Sequence, residues 1–288
     1  MRVDLLAGTL YAPARMPPRA PTILVFDSGF GGLTVFSELR KARPDARFLY
    51  AADDAAFPYG RLSETELVAR VLAVMDRLVE RHAPDLVVIA CNTASTLVLP
   101  HLRQRFAFPF VGTVPAIKPA AERSASKRFS VLATPGTVAR DYTRGLIEIY
   151  ANGCRVSLVG SHRLASLAEA ELAGAPAPDE EIRAETAPCF VEDEGGRTDL
   201  VVLACTHYPL LLPRLEQLAP WPVTWIDPAP AIARRMVQLI GEGPSAAWEG
   251  QGETAAVFTG NGGSTGLLRA ALSSRGLSRV ELEPMPLA

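Results

Sequence analysis

The 288-residue chain is poor in lysine, cysteine and histidine, and each shortage closes off a class of function. Of its 29 basic residues only Lys41, Lys118 and Lys127 are lysine. A pyridoxal enzyme needs a Schiff-base lysine, and none of the three stands where an apolar run gives way to a polar turn. The four cysteines, Cys91, Cys154, Cys189 and Cys205, have neither the close spacing of a zinc site nor the density of a disulfide scaffold. That usage favours a reducing compartment. No apolar run approaches the roughly 18–20 residues of a membrane-spanning helix. A formal net charge of −2 and a pI near 6.1 offer no basic stripe for nucleic acid. Residues 5–14 are mildly apolar and end in Tyr-Ala-Pro-Ala, but Asp4, Gly8 and Thr9 break the pattern of a secretory signal. The expectation is a cytoplasmic protein.

What is present is a core-forming α/β pattern. Hydrophobic residues make up 48% of the chain and the mean hydropathy is +0.14, enough for a substantial core. Runs of about five residues at 22–26, 47–51, 86–90, 129–133, 155–159, 200–204 and 223–226 read as buried parallel strands. Between them lie segments of helical period. Residues 63–81 open on Ser-Glu-Thr-Glu and close before Pro84, the pattern of a capped amphipathic helix.

An internal repeat carries the most information. Asp85-Leu-Val-Val-Ile-Ala-Cys91 returns as Asp199-Leu-Val-Val-Leu-Ala-Cys205, with one Ile/Leu exchange. A fainter echo sets Val25-Phe26-Asp27-Ser28-Gly29 beside Leu132-Ala133-Thr134-Pro135-Gly136. Two copies of one strand-to-loop module predict two similar α/β domains. The first spans 1–113, with 226–288 completing it and 1–20 as an extension; the second spans 114–225. Residues 114–119 and 221–230 read as the crossings between them.

Ligands of open α/β sheets bind at the carboxyl ends of strands, where both repeated cysteines fall. Backbone N–H groups of the following turn would lower such a thiol's pKa. One isolated Ala-Cys is a packed small hydrophobe. Two in matching modules suit a reaction that takes a proton from one face of a carbon and delivers one to the other. A disulfide-exchange pair, the competing idea, usually lies in a Cys-x-x-Cys turn. His207, two residues past Cys205, is a candidate partner for its thiol, whereas His82, His101 and His162 read as structural. Asp27-Ser28-Gly29-Phe30-Gly31-Gly32 is a glycine-rich turn whose amides could cradle an anion, though it matches neither dinucleotide nor Walker patterns. Residues 260–266 read as a surface turn.

Phe26-Asp27-Ser28-Gly29-Phe30-Gly31-Gly32-Leu33, Asp53 through Phe57-Pro58-Tyr59-Gly60, Ala90-Cys91-Asn92-Thr93-Ala94-Ser95 and Ala204-Cys205-Thr206-His207-Tyr208-Pro209-Leu210 together resemble bacterial glutamate racemases over roughly residues 22–240. The resemblance implies two pseudo-symmetric domains, each a mostly parallel sheet flanked by helices, with the active site in the cleft between them and no cofactor. It implies Cys91 and Cys205 as the proton donor/acceptor pair. Asp27, Ser28, Tyr59, Gly60, Asn92, Thr93, Thr206 and His207 would hold the substrate, and Thr134 and Thr137 would lie near a carboxylate. Glu169 joins Asp27 and His207 as a group supporting the thiols. Phe30 departs from the family's small aliphatic residue. The extension resembles that of members activated by a peptidoglycan nucleotide precursor. The resemblance is open to a homodimer, and D-glutamate would feed peptidoglycan. Aspartate racemase, hydantoin racemase and maleate isomerase share the paired-cysteine plan, and some glutamate racemases also bind DNA gyrase. Those stand as alternatives.

Overall fold

Alternating apolar runs and amphipathic helices can bury their faces only by stacking helices on both sides of a sheet, and the chain does so twice. The computed structural model describes residues 20–243, 252–261 and 266–285. The strands among them are β1 (Thr22–Asp27), β2 (Arg47–Ala52), β3 (Leu86–Ile89), β4 (Phe110–Gly112), β5 (Arg128–Ala133), β6 (Arg155–Gly160), β7 (Glu192–Asp193), β8 (Gly196–Arg197), β9 (Leu200–Ala204), β10 (Thr224–Ile226), β11 (Thr254–Phe258) and β12 (Arg279–Leu282). A six-stranded sheet runs β12-β11-β2-β1-β3-β4 and a four-stranded sheet runs β10-β9-β5-β6, both parallel throughout. β7 and β8 form a small antiparallel hairpin.

Read outward from their centres, β2-β1-β3-β4 and β6-β5-β9-β10 are the same strand order, so the pseudo-symmetry lies in the topology itself. Register refines the echo seen in the sequence. Ile23 of β1 faces Leu86 of the first repeat, and Phe129 of β5 faces Leu200 of the second. Leu86 and Leu200 are equivalent, so Ser28 corresponds to Thr134, one residue away from the alignment of the echo. β11 and β12 extend only the first sheet, and β4, β11, β12 and the hairpin were not expected. β4 is a three-residue edge strand and the hairpin strands have two residues each, too short for a periodic signal.

Alternation along β1 shows how each sheet is covered. Ile23 and Val25 face a core with Phe36, Leu39, Ile232 and Met236. Leu24 and Phe26 face the opposite core with Val71, Met75, Leu78 and Val98. The helix Glu64–His82 carries the expected capping box: Ser63 Oγ accepts from Glu66 N, and Glu66 Oε2 accepts from Ser63 N at 2.8 Å. Such caps contribute on the order of 1 kcal/mol. Phe30 finds its reason in β11, where it stacks on Phe258 with centroids 5.2 Å apart. Residues 1–19 of the 1–20 extension and most of the 260–266 turn (262–265) lie outside the described residues. No helix among the described residues is long and apolar enough to cross a membrane.

Candidate active site

The carboxyl ends of the two sheets supply the site. β1 ends on Asp27, with Ser28 next; β3 leads through Ala90 to Cys91, the residue before the helix Asn92–Arg105; β9 leads from Ala204 to Cys205, Thr206 and His207. A continuous set of contacts joins the halves. Ser28 Oγ lies 3.7 Å from Cys91 Sγ, Thr206 Oγ1 donates to Asp27 Oδ1 at 3.5 Å, and Cys205 Sγ lies 3.7 Å from His207 Nδ1. His207 Nε2 is 2.8 Å from Glu169 Oε1, which also accepts from Phe30 N at 2.9 Å. Thr93 Oγ1 meets Thr134 Oγ1 at 2.9 Å, and Thr134 Oγ1 meets Thr137 Oγ1 at 3.0 Å, so a row of hydroxyls also crosses between the sheets.

The glycine-rich turn does cradle anions, but they are the protein's own. Gly32 N donates to Asp27 Oδ2 at 2.7 Å and Phe30 N to Glu169. A methyl at Gly29 would overlap Glu169 Oε1, and one at Gly31 would overlap the His207 ring. These two glycines are required by close approach across the halves.

The two thiols sit in opposite electrostatic settings. Burial pushes the Cys91 thiol up to about 12, and the Asp27 carboxylate adds to that. The N–H of Ala94 and the Ser28 hydroxyl pull it down without prevailing. The expected lowering by a helix start therefore fails at Cys91, because desolvation of a buried thiolate outweighs one backbone donor. Beside Cys205 stands a cation instead. Burial alone would lower the His207 pKa, but its bonds to Cys205 and Glu169, with their charges, hold it well above the usual imidazole range. Burial raises the Asp27 carboxyl, opposed by His207 and Gly32 N. Gly31 N also points at His207 Nε2, at 3.2 Å. One nitrogen cannot both donate to Glu169 and accept from Gly31; the shorter, charge-assisted Glu169 bond places the hydrogen on Nε2.

The remaining expected residues divide clearly. Asn92 is 2% exposed and neither atom of its amide has a partner, so a buried donor and acceptor stand ready for a ligand. Gly60 is exposed in the middle of the turn Tyr59–Arg61. The side chain of Tyr59 is committed elsewhere: its hydroxyl donates to Asp53 Oδ2 at 2.6 Å in the buried core. Arg70 and the Thr259 hydroxyl also donate to Asp53. Any contact Tyr59 makes with a ligand must then come from its backbone. Residue patterns gave no hint of Tyr50, whose hydroxyl donates to Gly29 O at 2.6 Å, or of Arg140, which pairs with Glu64 across the two halves. A buried tyrosine in a strand looks like core from sequence, and an ion pair between residues 76 positions apart is a tertiary fact. No cluster of three or more His, Cys, Asp or Glu suited to a metal occurs among the described residues.

Two parallel sheets of matching order, each ending in a thiol that faces a shared polar cluster, define an α/β protein built for two-sided chemistry at one small ligand. A profile described as "Asp/Glu/Hydantoin racemase" matches residues 34–236. A glutamate racemase of Mesorhizobium japonicum is 58% identical over 238 residues, covering 82% of this chain and 90% of that protein. The structure of Escherichia coli glutamate racemase with L-glutamate and the activator UDP-MurNAc-Ala aligns with a TM-score of 0.82 at 41% identity, over 92% of this chain and 98% of that one. That of Thermus thermophilus glutamate racemase with β-chloro-D-alanine aligns with a TM-score of 0.70 at 28% identity, over 94% and 99%. The chain belongs to the Asp/Glu/Hydantoin racemase family.

Proposed function

We infer that the enzyme interconverts L- and D-glutamate by moving a proton between Cys205, Cys91 and the α-carbon. The observation that carries this reading is the pair of topologically equivalent thiols at the carboxyl ends of the two sheets, Cys91 beside Ser28 and Cys205 beside His207. From L-glutamate, Cys205 takes the α-proton while His207 supplies the counter-charge, and Cys91, held as a thiol, delivers hydrogen to the other face. From D-glutamate the roles reverse, with Asp27 beside Cys91. The unpaired Asn92 amide, Ser28, Thr206, the Thr93–Thr134–Thr137 hydroxyls and the backbone of Tyr59 and Gly60 hold the substrate's charged ends. Such preorganised donors stabilise an anionic α-carbon without an electron sink. The relatives' names and the bound L-glutamate of the E. coli protein support the choice of substrate.

The same reading divides the chain into one domain of 1–113 completed by 226–288 and another of 114–225. It expects a cytoplasmic homodimer that supplies D-glutamate for peptidoglycan and is activated by a peptidoglycan nucleotide precursor. Circular dichroism of purified protein with each glutamate enantiomer, and with aspartate as control, tests the activity. Equal racemisation of aspartate, or none of glutamate, contradicts it. The assay repeated with the precursor tests activation, and sedimentation tests the dimer.

A further inference from the structure

Three successive amides of the turn after β1 point at three ionisable groups. Phe30 N donates to Glu169 Oε1 at 2.9 Å, Gly31 N faces His207 Nε2 at 3.2 Å, and Gly32 N donates to Asp27 Oδ2 at 2.7 Å. The turn is buried from Ser28 to Gly32, and its own side chains do little to fix it. Close approach keeps Gly29 and Gly31 bare, and only the Phe30 ring reaches a neighbour, Phe258. The polar anchor comes from β2. Tyr50 Oη donates to Gly29 O at 2.6 Å, and it lies 3.1 Å from where a methyl at Gly32 would stand. Tyr50 is itself held firmly. It pairs with Val25 of β1 and Ala256 of β11, is 0% exposed, and its ring meets Phe36 edge-on with centroids 6.1 Å apart.

We propose that Tyr50 is a positioning residue of the racemase site: its hydroxyl locks the peptide between Gly29 and Phe30 and so aims the turn's amides at the groups that support both thiols. This rests on the two-thiol reading above, which makes Asp27, His207 and Glu169 the groups that matter. A trans peptide is planar, with its C=O and N–H on opposite sides. Fixing the direction of Gly29 O therefore fixes that of Phe30 N, the donor to Glu169. Burial, with the charges of Asp27, Glu169 and Cys91, holds the phenol well above its ordinary 10, so Tyr50 stays a donor. Without the hydroxyl, Gly29 O loses that donor and the 29–30 peptide is free to tilt. Glu169 and Asp27 then each receive a less well aimed N–H, one on the Cys205 side and one on the Cys91 side. Tyr50 acts only through the turn and moves no proton.

Tyr50→Phe removes the hydroxyl and keeps the ring. Ser130→Ala is the matched control, since Ser130 Oγ donates to Cys189 O at 2.6 Å between two fully buried residues in the middle of β5. Both should lower the thermal midpoint, each by the loss of one buried bond. Only Tyr50→Phe should lose kcat, about tenfold in both directions, with KM within about twofold of wild type. In hydrogen exchange followed by NMR, the Phe30 and Gly32 amides of Tyr50→Phe should exchange about tenfold faster or more, and those of Ser130→Ala at the wild-type rate. Tyr50→4-aminophenylalanine keeps a weaker donor and should fall between, with kcat down about threefold. If Tyr50→Phe does not fold, this variant carries the test. Wild-type kcat, a loss carried by KM alone, or unchanged amide exchange in the folded variant at position 50 would overturn the proposal and leave Tyr50 a core residue only. A wild-type protein that fails to racemise glutamate would instead overturn the two-thiol reading, and amide exchange would still decide whether Tyr50 holds the turn.

Discussion

The Cys91 and Cys205 modules begin alike and end differently. Both repeat Asp-Leu-Val-Val before an apolar residue, alanine and cysteine, and both strands occupy the same place in their sheets. After Cys91 the chain enters a 14-residue helix, and the thiol faces Ser28 in the company of a buried carboxylate. After Cys205 it makes a turn that sets His207 against the sulfur, with Glu169 reaching in from the helix Leu164–Leu172. The repeated module places the two thiols alike, and the residues that follow each of them set its charge environment. A reaction that must run in both directions needs the first property, and the second gives each thiol its own supporting group.

The comparison breaks most visibly when either thiol is removed. Cys91→Ala and Cys205→Ala should each reduce racemisation by about three powers of ten or more, as for groups that act as a unit; a modest loss in one alone would mean that the modules are not equivalent in function. The supporting groups sharpen it. His207→Asn should lower kcat/KM for L-glutamate by about 100-fold and for D-glutamate by less, while Asp27→Asn should show the opposite bias. Matching losses in both directions would remove the asymmetry. Asn92→Ala should raise KM roughly tenfold, the worth of one or two substrate hydrogen bonds, with kcat nearly unchanged. Its thermal midpoint should not fall, since the amide has no partner to lose; a drop of several degrees would show that Asn92 is structural.

Smaller effects appear in stability against pH. The Asp27 carboxyl is raised by burial above its ordinary 3.8, so the folded state holds this proton more tightly than the unfolded chain does. Its ionisation therefore costs stability, progressively, as pH rises from about 3.8 through the folded value. Asp27→Asn should gain on wild type over that interval in thermal melts. His207 works with the other sign. Its contribution is fully present below 6.5 and is lost as pH rises through its raised folded value, so a His207→Asn difference should shrink at high pH. Tyr59→Phe should change kcat/KM least and cost about 1 kcal/mol of stability, one buried hydrogen bond to Asp53. A large KM effect would return its hydroxyl to the substrate.

Much of this was legible in the chain itself. β1, β2, β3, β5, β6, β9 and β10 begin and end within a residue of their apolar runs, because buried parallel strands are continuous in hydrophobicity. The Ser63–Glu66 capping box and the repeated strand-end cysteines are local and could be read directly. Three kinds of feature could not. Short edge strands such as β4 lack a period. The Asp53–Arg70–Tyr59–Thr259 cluster joins residues up to 206 positions apart, so no window of sequence contains it. The elevated Cys91 thiol is an effect of burial, whereas local reasoning saw only the helix that follows it and expected the opposite direction.

The central claim is that the two thiols address opposite faces of one α-carbon, and elimination of a β-leaving group tests it most directly. A serine keeps a hydroxyl that can donate a proton but is a poor base, so each Cys→Ser variant should retain proton removal on one side only. With glutamate analogues carrying a leaving group at the β-carbon, Cys91→Ser should process the L-configured compound alone and Cys205→Ser the D-configured compound alone. Equal loss for both enantiomers in both variants would contradict the account, because cysteines that do not face each other across the substrate could not divide its enantiomers between them.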